Sequence, residues 1–443
     1  MSALPADIPA RPQPAGAATA PAPAAATLAL SPGRARWVLL MVTLVYTVNF
    51  VDRNILNVLL QPIKQEFQLS DAMLGFMSGI GFTALYVLAS LPLARLADRG
   101  HRVGVIATCL TLWSAMTALC GLAGSAVQLV LARCAVAVGE AGSGGPGQAL
   151  LADVFPPAQR TRAMSFLATA TFLGVTLAFT LGSAINRAAG WRMAFILVGL
   201  PGLLLSLLFW FTLRKLPKPA ATPGRAAVSV GQALRFLLGQ RSVVLGTLAF
   251  CATSFASAAI TAWVTPMLQR VHGLSNLEAG LKAGPILGGA GILGGLLAAT
   301  VMTRLCRRDM RWTLWANAIS LLVAAPAMLA FCLAPSAHSA LAALAVVTLC
   351  SGFQIGPFVA ALQSAVLVRV RATAGALNMA ATTLFGWGLG PLAVGLLSDA
   401  LLPTLGNDSL RYAMMLGPLA LLLGAVLAML AARHLPRDIA AVA

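Results

Sequence analysis

The chain has 443 residues, of which 59% are hydrophobic and 9% charged, with a mean hydropathy of +0.87. These values exclude a water-soluble globule of this size and define a polytopic membrane protein. The net charge of +18 would suggest a nucleic-acid partner in a soluble protein, but in a membrane protein it is tested first against the excess of basic residues in cytoplasmic loops, which accounts for it here.

Residues 1–33 are rich in Ala and Pro, lack the basic start and compact apolar core of a signal peptide, and are expected to form a disordered cytoplasmic tail. Beyond them, apolar runs of membrane-spanning length recur twelve times: Trp37–Leu60, Ala72–Leu93, Val103–Ala123, Val127–Leu151, Met164–Ile185, Met193–Leu213, Val243–Leu268, Ala279–Met302, Trp312–Leu333, Ala340–Val366, Thr373–Leu397 and Ala413–Ala432. An even count puts both termini on one side. Of the 30 lysines and arginines, Arg53 and Arg133 fall inside runs, and only Lys64, Arg187, Arg192, Arg270, Lys282 and Arg411 fall on the side away from the termini. The termini are therefore expected in the cytoplasm, with no nucleic-acid partner needed.

The longest connection, Arg214 to Arg241, divides the chain into two six-helix bundles, 34–213 and 242–433, joined by a 214–241 linker and followed by a 434–443 tail. Within the linker, Val228–Leu238 is expected to be a short helix on the membrane surface. The halves echo each other. Leu69-Ser70 with Gly75 recurs as Leu274-Ser275 with Gly280, Arg99 falls on Arg304, and Arg160 and Arg162 return as Arg369 and Arg371. Repeated halves related by an axis along the membrane normal are a secondary-transporter architecture, with substrate held near the midplane between them. The expected fold is an all-α membrane protein of twelve helices in two pseudo-symmetric bundles.

Inside the first run stands Asp52, about 22 Å along a helix that starts at Trp37 and rises about 1.5 Å per residue. A charge at that depth is costly and normally faces a bundle interior or a water-filled cavity. Tyr46, Asn49 and Arg53 share a face, with Asp52 beside it. On the fourth run, Arg133 and Glu140 lie two turns apart on one face, and Glu140 opens a Gly-rich stretch to Gly147 that loosens the helix. Burial and an adjacent arginine act in opposite senses on a carboxylate. Protonation of Asp52 or Glu140 is therefore a candidate switch of the partner of Arg53 or Arg133, and a permanent ion-pair network between the two helices is the alternative.

At the end of the second run, Asp98, Arg99 and Arg102 are candidates for a cytoplasmic gate, with Asp153, Arg160 and Arg162 of the 4–5 loop and Arg304, Arg369 and Arg371 of the second half as partners. Ser275 and Glu278 read as a capping box, with Glu278 and Lys282 as a structural pair. The glycines from Gly386 to Gly390 read as packing and bending elements. Gln354 and Asn378 are the polar candidates for the second half's cavity wall, which otherwise carries no charge apart from Lys282 near a mouth.

Seven cysteines without a CxxC pair read as small core residues, and four histidines at segment ends or in the tail argue against a metal or haem site within the membrane. No phosphate-cradling GxxxxGK[ST] loop occurs, so neither cofactor nor ATP-driven pumping is expected. No nucleophile–His constellation points to an enzyme. The composition leaves three functions: a transporter of an amphipathic or lipid-like solute, a small organic-anion symporter, and a non-transporting receptor.

Asn49-Phe-Val-Asp-Arg53, Leu69-Ser-Asp71, Ala94-Arg-Leu-Ala-Asp-Arg99, Ala132-Arg133 through Gly139-Glu-Ala141, Phe155-Pro-Pro157 with Arg160, Arg308-Asp-Met-Arg-Trp312, Gly388-Leu-Gly-Pro391 and Asp408-Ser-Leu-Arg-Tyr412 together resemble the major facilitator superfamily and, within it, the spinster family of transporters. The resemblance covers residues 37 to 433. It implies two six-helix bundles working by rocker-switch alternating access, and lipid-like substrates such as lysophospholipids or sphingosine phosphate. It also implies roles for Asp52, Arg53 and Glu140 in substrate and proton coupling, in a bacterial inner-membrane protein expected to act as a monomer. The superfamily's 2–3 loop pattern departs here at Ala94 and Val103, and Thr303 replaces the corresponding acid of the second half.

Overall fold

The computed structural model describes residues 28, 30–217, 230–367 and 370–442. Most of the expected N-terminal tail, residues 218–229 of the linker and Arg369 lie outside the described residues. Among the described residues, nine apolar helical stretches are long enough to cross a bilayer, and three of them (Asp71–Cys120, Pro157–Leu213 and Thr373–Ala440) fold back on themselves, so the chain makes twelve spans. The reversals fall where Gly100 (φ 88°), Gly190 (φ 82°) and Gly406 (φ 53°) adopt positive φ, which residues with a Cβ take only under strain.

In chain order the spans are helix 1 (Pro32–Phe67), helix 2 (71–96, interrupted at Gly79), helix 3 (Arg102–Cys120), helix 4 (Ala126–Val154), helix 5 (157–189) and helix 6 (191–213). Helix 7 (Arg241–His272), helix 8 (Asn276–Leu305), helix 9 (Trp312–Leu333), helix 10 (Ala337–Ser364), helix 11 (371–405) and helix 12 (Leu416–Ala440) form the second half. Between the halves, Val230–Gly239 forms the short linker helix, with Ala233, Phe236 and Leu237 packed on the ends of helices 7, 10 and 12. Several helices extend beyond their apolar runs. Helix 1 reaches Phe67 because polar residues past Leu60 stay in register while Lys64 finds an acidic partner.

The halves meet along two seams, helix 2 on helix 11 and helix 5 on helix 8. The internal repeat now has a physical meaning. Ser70 and Ser275 each cap a helix, accepting from the backbone N–H of Met73 at 3.1 Å and of Glu278 at 3.2 Å. One turn on, Gly75 lies against the Pro391 carbonyl and Gly280 against Phe179 and Ser183, where a Cβ would clash with the opposite half. Each motif therefore sets a helix start and a point of close approach between bundles. Glu278 turns back to its cap, accepting from the Ser275 N–H at 2.9 Å, and makes no ion pair with Lys282 among the described residues. The cap wins because the backbone donors are fixed and the lysine is not.

On the face away from the termini, here the distal face, hydrogen bonds tie the halves together. Arg270 joins Asp71 and Gln61, Asp399 accepts from the N–H groups of Asp71 and Ala72, and Asn276 joins Asn186 and the Val58 carbonyl. On the terminal face no hydrogen bond or ion pair crosses between the halves among the described residues. The halves are therefore held together by hydrogen bonds at the distal face.

Candidate functional site

Helix 1 carries the ionic centre of the first half. Asp52 is 0% exposed and points into the bundle, whereas the Arg53 side chain is 25% exposed. Arg53 donates through Nε at 3.0 Å and Nη2 at 2.9 Å to Oε2 of Glu140, which is itself wholly buried. Helix 4 delivers Glu140 at its own break: the helix stops there, residues 141–143 turn, and it resumes at Gly144. The Tyr46 hydroxyl donates to the freed Gly144 carbonyl, which fixes the break against helix 1. Arg133, two turns below Glu140, donates to the backbone carbonyl of Asp52 at 3.1 Å rather than to its carboxylate.

Both Asp52 carboxylate oxygens therefore lack a hydrogen bond, as do Oε1 of Glu140, Nδ2 of Asn49 and Nε of Arg133. A buried, charged carboxylate without partners is expensive. The arrangement is one that a proton satisfies. The cations are held by aromatic faces as well. The Arg53 guanidinium lies 4.7 Å from the ring centre of Tyr86 and 5.3 Å from that of Phe82, and Arg133 approaches Phe82 at 5.0 Å. Desolvated cation–π contacts of this kind contribute about 2 kcal/mol each. Phe82 and Tyr86 escaped the sequence reading because aromatics inside an apolar run look like core; their i, i+4 spacing on helix 2 was the available signal.

The residues read as a cytoplasmic gate are only partly brought together. Arg102 pairs with Asp153 and lies 3.8 Å from Asp98, all within the first half. Arg160 turns back to the Ala152 carbonyl at 2.7 Å. Arg99, Arg162, Arg304 and Arg371 are exposed and enter no ion pair among the described residues, and Arg369 lies outside those residues. The expected clamp between halves is thus not formed. Arg102 takes the acids nearest to it in its own half, Asp153 and Asp98.

In the second half, a cavity of about 180 Å3 lies between helices 7, 8, 10 and 11 and the Thr171–Val175 stretch of helix 5. Its polar groups are the hydroxyls of Thr171, Thr253, Ser254, Ser257, Thr261, Thr348 and Ser351, set among Phe172, Phe250, Ile260, Leu287 and Trp387. Gln354 and Asn378, expected on this wall, do not line it. On helix 10 the lining stripe is Thr348, Ser351, Gly352 and Ile355, and Gln354 falls one position off it, buried among helices. Amides were favoured in the sequence because they are more polar than hydroxyls, but hydroxyls that bond back to their own helix suit an apolar wall better; Thr253, Thr261, Thr348 and Ser351 all do so.

A second group missed in the sequence is the distal network. Asp71, 1% exposed in its side chain, accepts from Arg270 at 2.7 and 2.8 Å, from Lys64 at 2.5 Å and from Ser398 at 2.7 Å. Its signal was scarcity: Lys64, Asp71, Arg270 and Asp399 are among the few charged residues at helix ends on the side poor in charge.

A deep ionic centre in one half, a hydroxyl-lined cavity beside the other and hydrogen-bonded ties between the halves at the distal face are the arrangement of a secondary transporter. The Major Facilitator Superfamily profile matches residues 42–391, and the chain belongs to that superfamily. Within it the chain is spinster-like. Its fold superposes with a TM-score of 0.83, at 28% identity over 92% of this chain and 99% of the other, on the crystal structure of a bacterial homologue of the human lysosomal transporter spinster in an inward-facing, unoccupied conformation. An MFS-type efflux pump of Mycolicibacterium smegmatis is 36% identical over 421 residues, 92% of this chain and 95% of the pump. A sphingosine-1-phosphate transporter of Danio rerio is 27% identical over 410 residues, covering 85% of this chain and 77% of that protein.

Proposed function

We propose that the chain is a proton-coupled exporter of amphipathic, lipid-like anions that works by rocker-switch alternating access in a bacterial inner membrane, with both termini in the cytoplasm. The observation that carries this reading is the division of labour between halves. The first half offers a guanidinium, Arg53, flanked by Tyr86 and Phe82, and the second an apolar cavity with hydroxyls and no charge in its lining. An anionic head group bound to Arg53 with an acyl chain in the cavity uses both. A small organic anion uses only one.

In this reading Glu140 holds Arg53 when no substrate is bound. Protonation of Glu140 frees the guanidinium for the head group, and Asp52 takes part in the same proton exchange as the second buried acid. Filling the space between the halves draws the terminal-face ends together and loosens the distal ties. Arg102 and Asp153 hold the 2–3 and 4–5 connections as one unit during that movement. The efflux named for one relative agrees with outward movement, and the sphingosine-1-phosphate named for another agrees with an amphipathic anion as substrate.

Flux in proteoliposomes separates the readings. Under an imposed pH gradient, a fluorescent lysophospholipid is expected to move, and a panel of small carboxylates is not. Movement of a carboxylate without the lysolipid would reverse the substrate assignment, and binding without flux of either would leave a receptor.

A further inference from the structure

Asp52 is sealed from the space between the halves: it is 0% exposed, while its neighbour Arg53 takes the open side. A proton that reaches Asp52 has to travel inside the first bundle. Helix 3 carries the groups for it. Trp113, Thr117 and Cys120 stand at i, i+4 and i+7 and share a face. The Trp113 indole and the Cys120 thiol both lie within electrostatic reach of Asp52, so Thr117 between them is turned toward helix 1 as well.

The Thr117 hydroxyl is wholly buried and has no hydrogen-bond partner. Thr83, Thr265 and, on the same helix, Ser114 are also buried without a partner, whereas other threonines bond back to their own helix. Thr43, Thr47 and Thr111, on helices 1 and 3, each donate to the carbonyl four residues back, at 2.7, 3.0 and 2.9 Å. A threonine that forgoes this bond in a dry interior keeps its hydroxyl for another group. Both Asp52 oxygens, the Trp113 Nε1, the Arg133 Nε and the Ser114 Oγ are likewise buried and unpartnered, the kind of groups that hold a buried water. Helix 3 ends at Cys120, one turn beyond Thr117 and next to the distal loop. The charged and titratable groups facing Asp52 are Arg133 and Glu140 on helix 4 and Cys120 on helix 3, while Arg53 on its own helix points to the open side.

We propose that Thr117 is a positioning residue that relays protons between Asp52 and the distal face through a bound water. The water gives a proton to an Asp52 oxygen as it takes one from the Thr117 hydroxyl. That hydroxyl is refilled by the next water on the distal side, so the side chain is unchanged over a cycle. Release runs the same steps in reverse. The inference deepens the proton-coupled reading above and rests on it for its role in transport.

The test uses the full-length protein in proteoliposomes and two variants, Thr117→Val, which keeps the shape without the hydroxyl, and Thr117→Ser, which restores the hydroxyl. Infrared difference spectra in H2O and D2O follow the protonated-carboxyl band that disappears in Asp52→Asn. Thr117→Val is expected to slow deuterium exchange of that band about tenfold or more, the low end of what a positioned proton donor contributes, and Thr117→Ser to restore it. Gradient-driven flux should fall more than counterflow, which moves no net proton. Unchanged exchange in Thr117→Val, a Thr117→Ser as slow as it, or no Asp52-dependent band at any pH overturns the relay. If wild-type flux ignores the gradient, it is the coupling reading that fails, and the band's exchange still decides the relay.

Discussion

Arg53→Ala is expected to abolish transport and to destabilise the protein, and Glu140→Gln in the same chain to repair only the second defect. Removing Arg53 leaves the Glu140 carboxylate buried without its cation. Breaking a buried pair by deleting one partner costs about 3 kcal/mol or more. For a chain of this kind that is a clear drop in thermal midpoint, read by the fluorescence of a thiol-reactive dye or by light scattering in detergent. The double variant removes the orphaned charge and should regain most of that stability. Its flux should stay about a hundredfold below wild type, because the head group has lost the charge-assisted hydrogen bonds that hold it. Recovery of both stability and flux in the double variant would show that Arg53 serves only to neutralise Glu140. Arg53→Lys keeps the charge but loses the planar fork and the stacking on Tyr86, so its recovery should be slight.

Asp71→Ala is expected to open the distal face. The side chain is the common acceptor for Arg270 and Ser398 of the second half and Lys64 of the first, and Asp399 is anchored on its backbone N–H. Losing the bidentate bond to Arg270 alone costs about 3 kcal/mol, which shifts the closed-to-open ratio on the order of a hundredfold. Spin labels at the exposed Gln68 and Asn407, on the distal turns of the two halves, report the change as a distance distribution. The wild type should give one short distance, and Asp71→Ala a longer, dominant one. Arg270→Ala should give an intermediate mixture, since Ser398 and Asp399 of the second half still bond to Asp71. An unchanged distribution in Asp71→Ala would mean that the glycine seams, not this network, hold the distal face closed.

The reach of the sequence follows from what a membrane demands of a chain. Twelve spans were legible because lipid allows no unsatisfied backbone, so apolar length and helix are nearly the same observation there. A short helix in the linker was legible from its amphipathic pattern; it runs Val230–Gly239 with Ala233, Phe236 and Leu237 packed into the second half, and the expected start at Val228 lies outside the described residues. Arg53 and Glu140 stood out because charge within an apolar run is costly, and the structure joins them across helices 1 and 4.

What stayed hidden were features made by pairs of distant segments. Nothing near Asp71 announces Arg270, 199 residues further on, because both sit at helix ends where a charge is ordinary. Phe82 and Tyr86 are indistinguishable from core until Arg53 lies over them. Gln354 was named as a polar candidate for the cavity wall, but helix phase puts Thr348 and Ser351 there instead. The gate expected at Asp98, Arg304 and Arg371 is not brought together: Asp98 stays beside Arg102 in its own half, and Arg304 and Arg371 enter no ion pair among the described residues. The Arg102–Asp153 pair was inferable in kind, since each residue was already a gate candidate, but not as a pair.

The central claim is that the buried acids of the first half convert a proton gradient into movement of an amphipathic anion. Its most direct test is the flux of a fluorescent lysophospholipid in proteoliposomes, with and without an imposed pH gradient, for wild type, Asp52→Asn and Glu140→Gln. The account predicts that the gradient drives accumulation in the wild type and that each substitution leaves, at most, downhill flux that ignores the gradient. Gradient-driven accumulation of the lysolipid that persists in both variants would contradict it and return the two acids to a structural role.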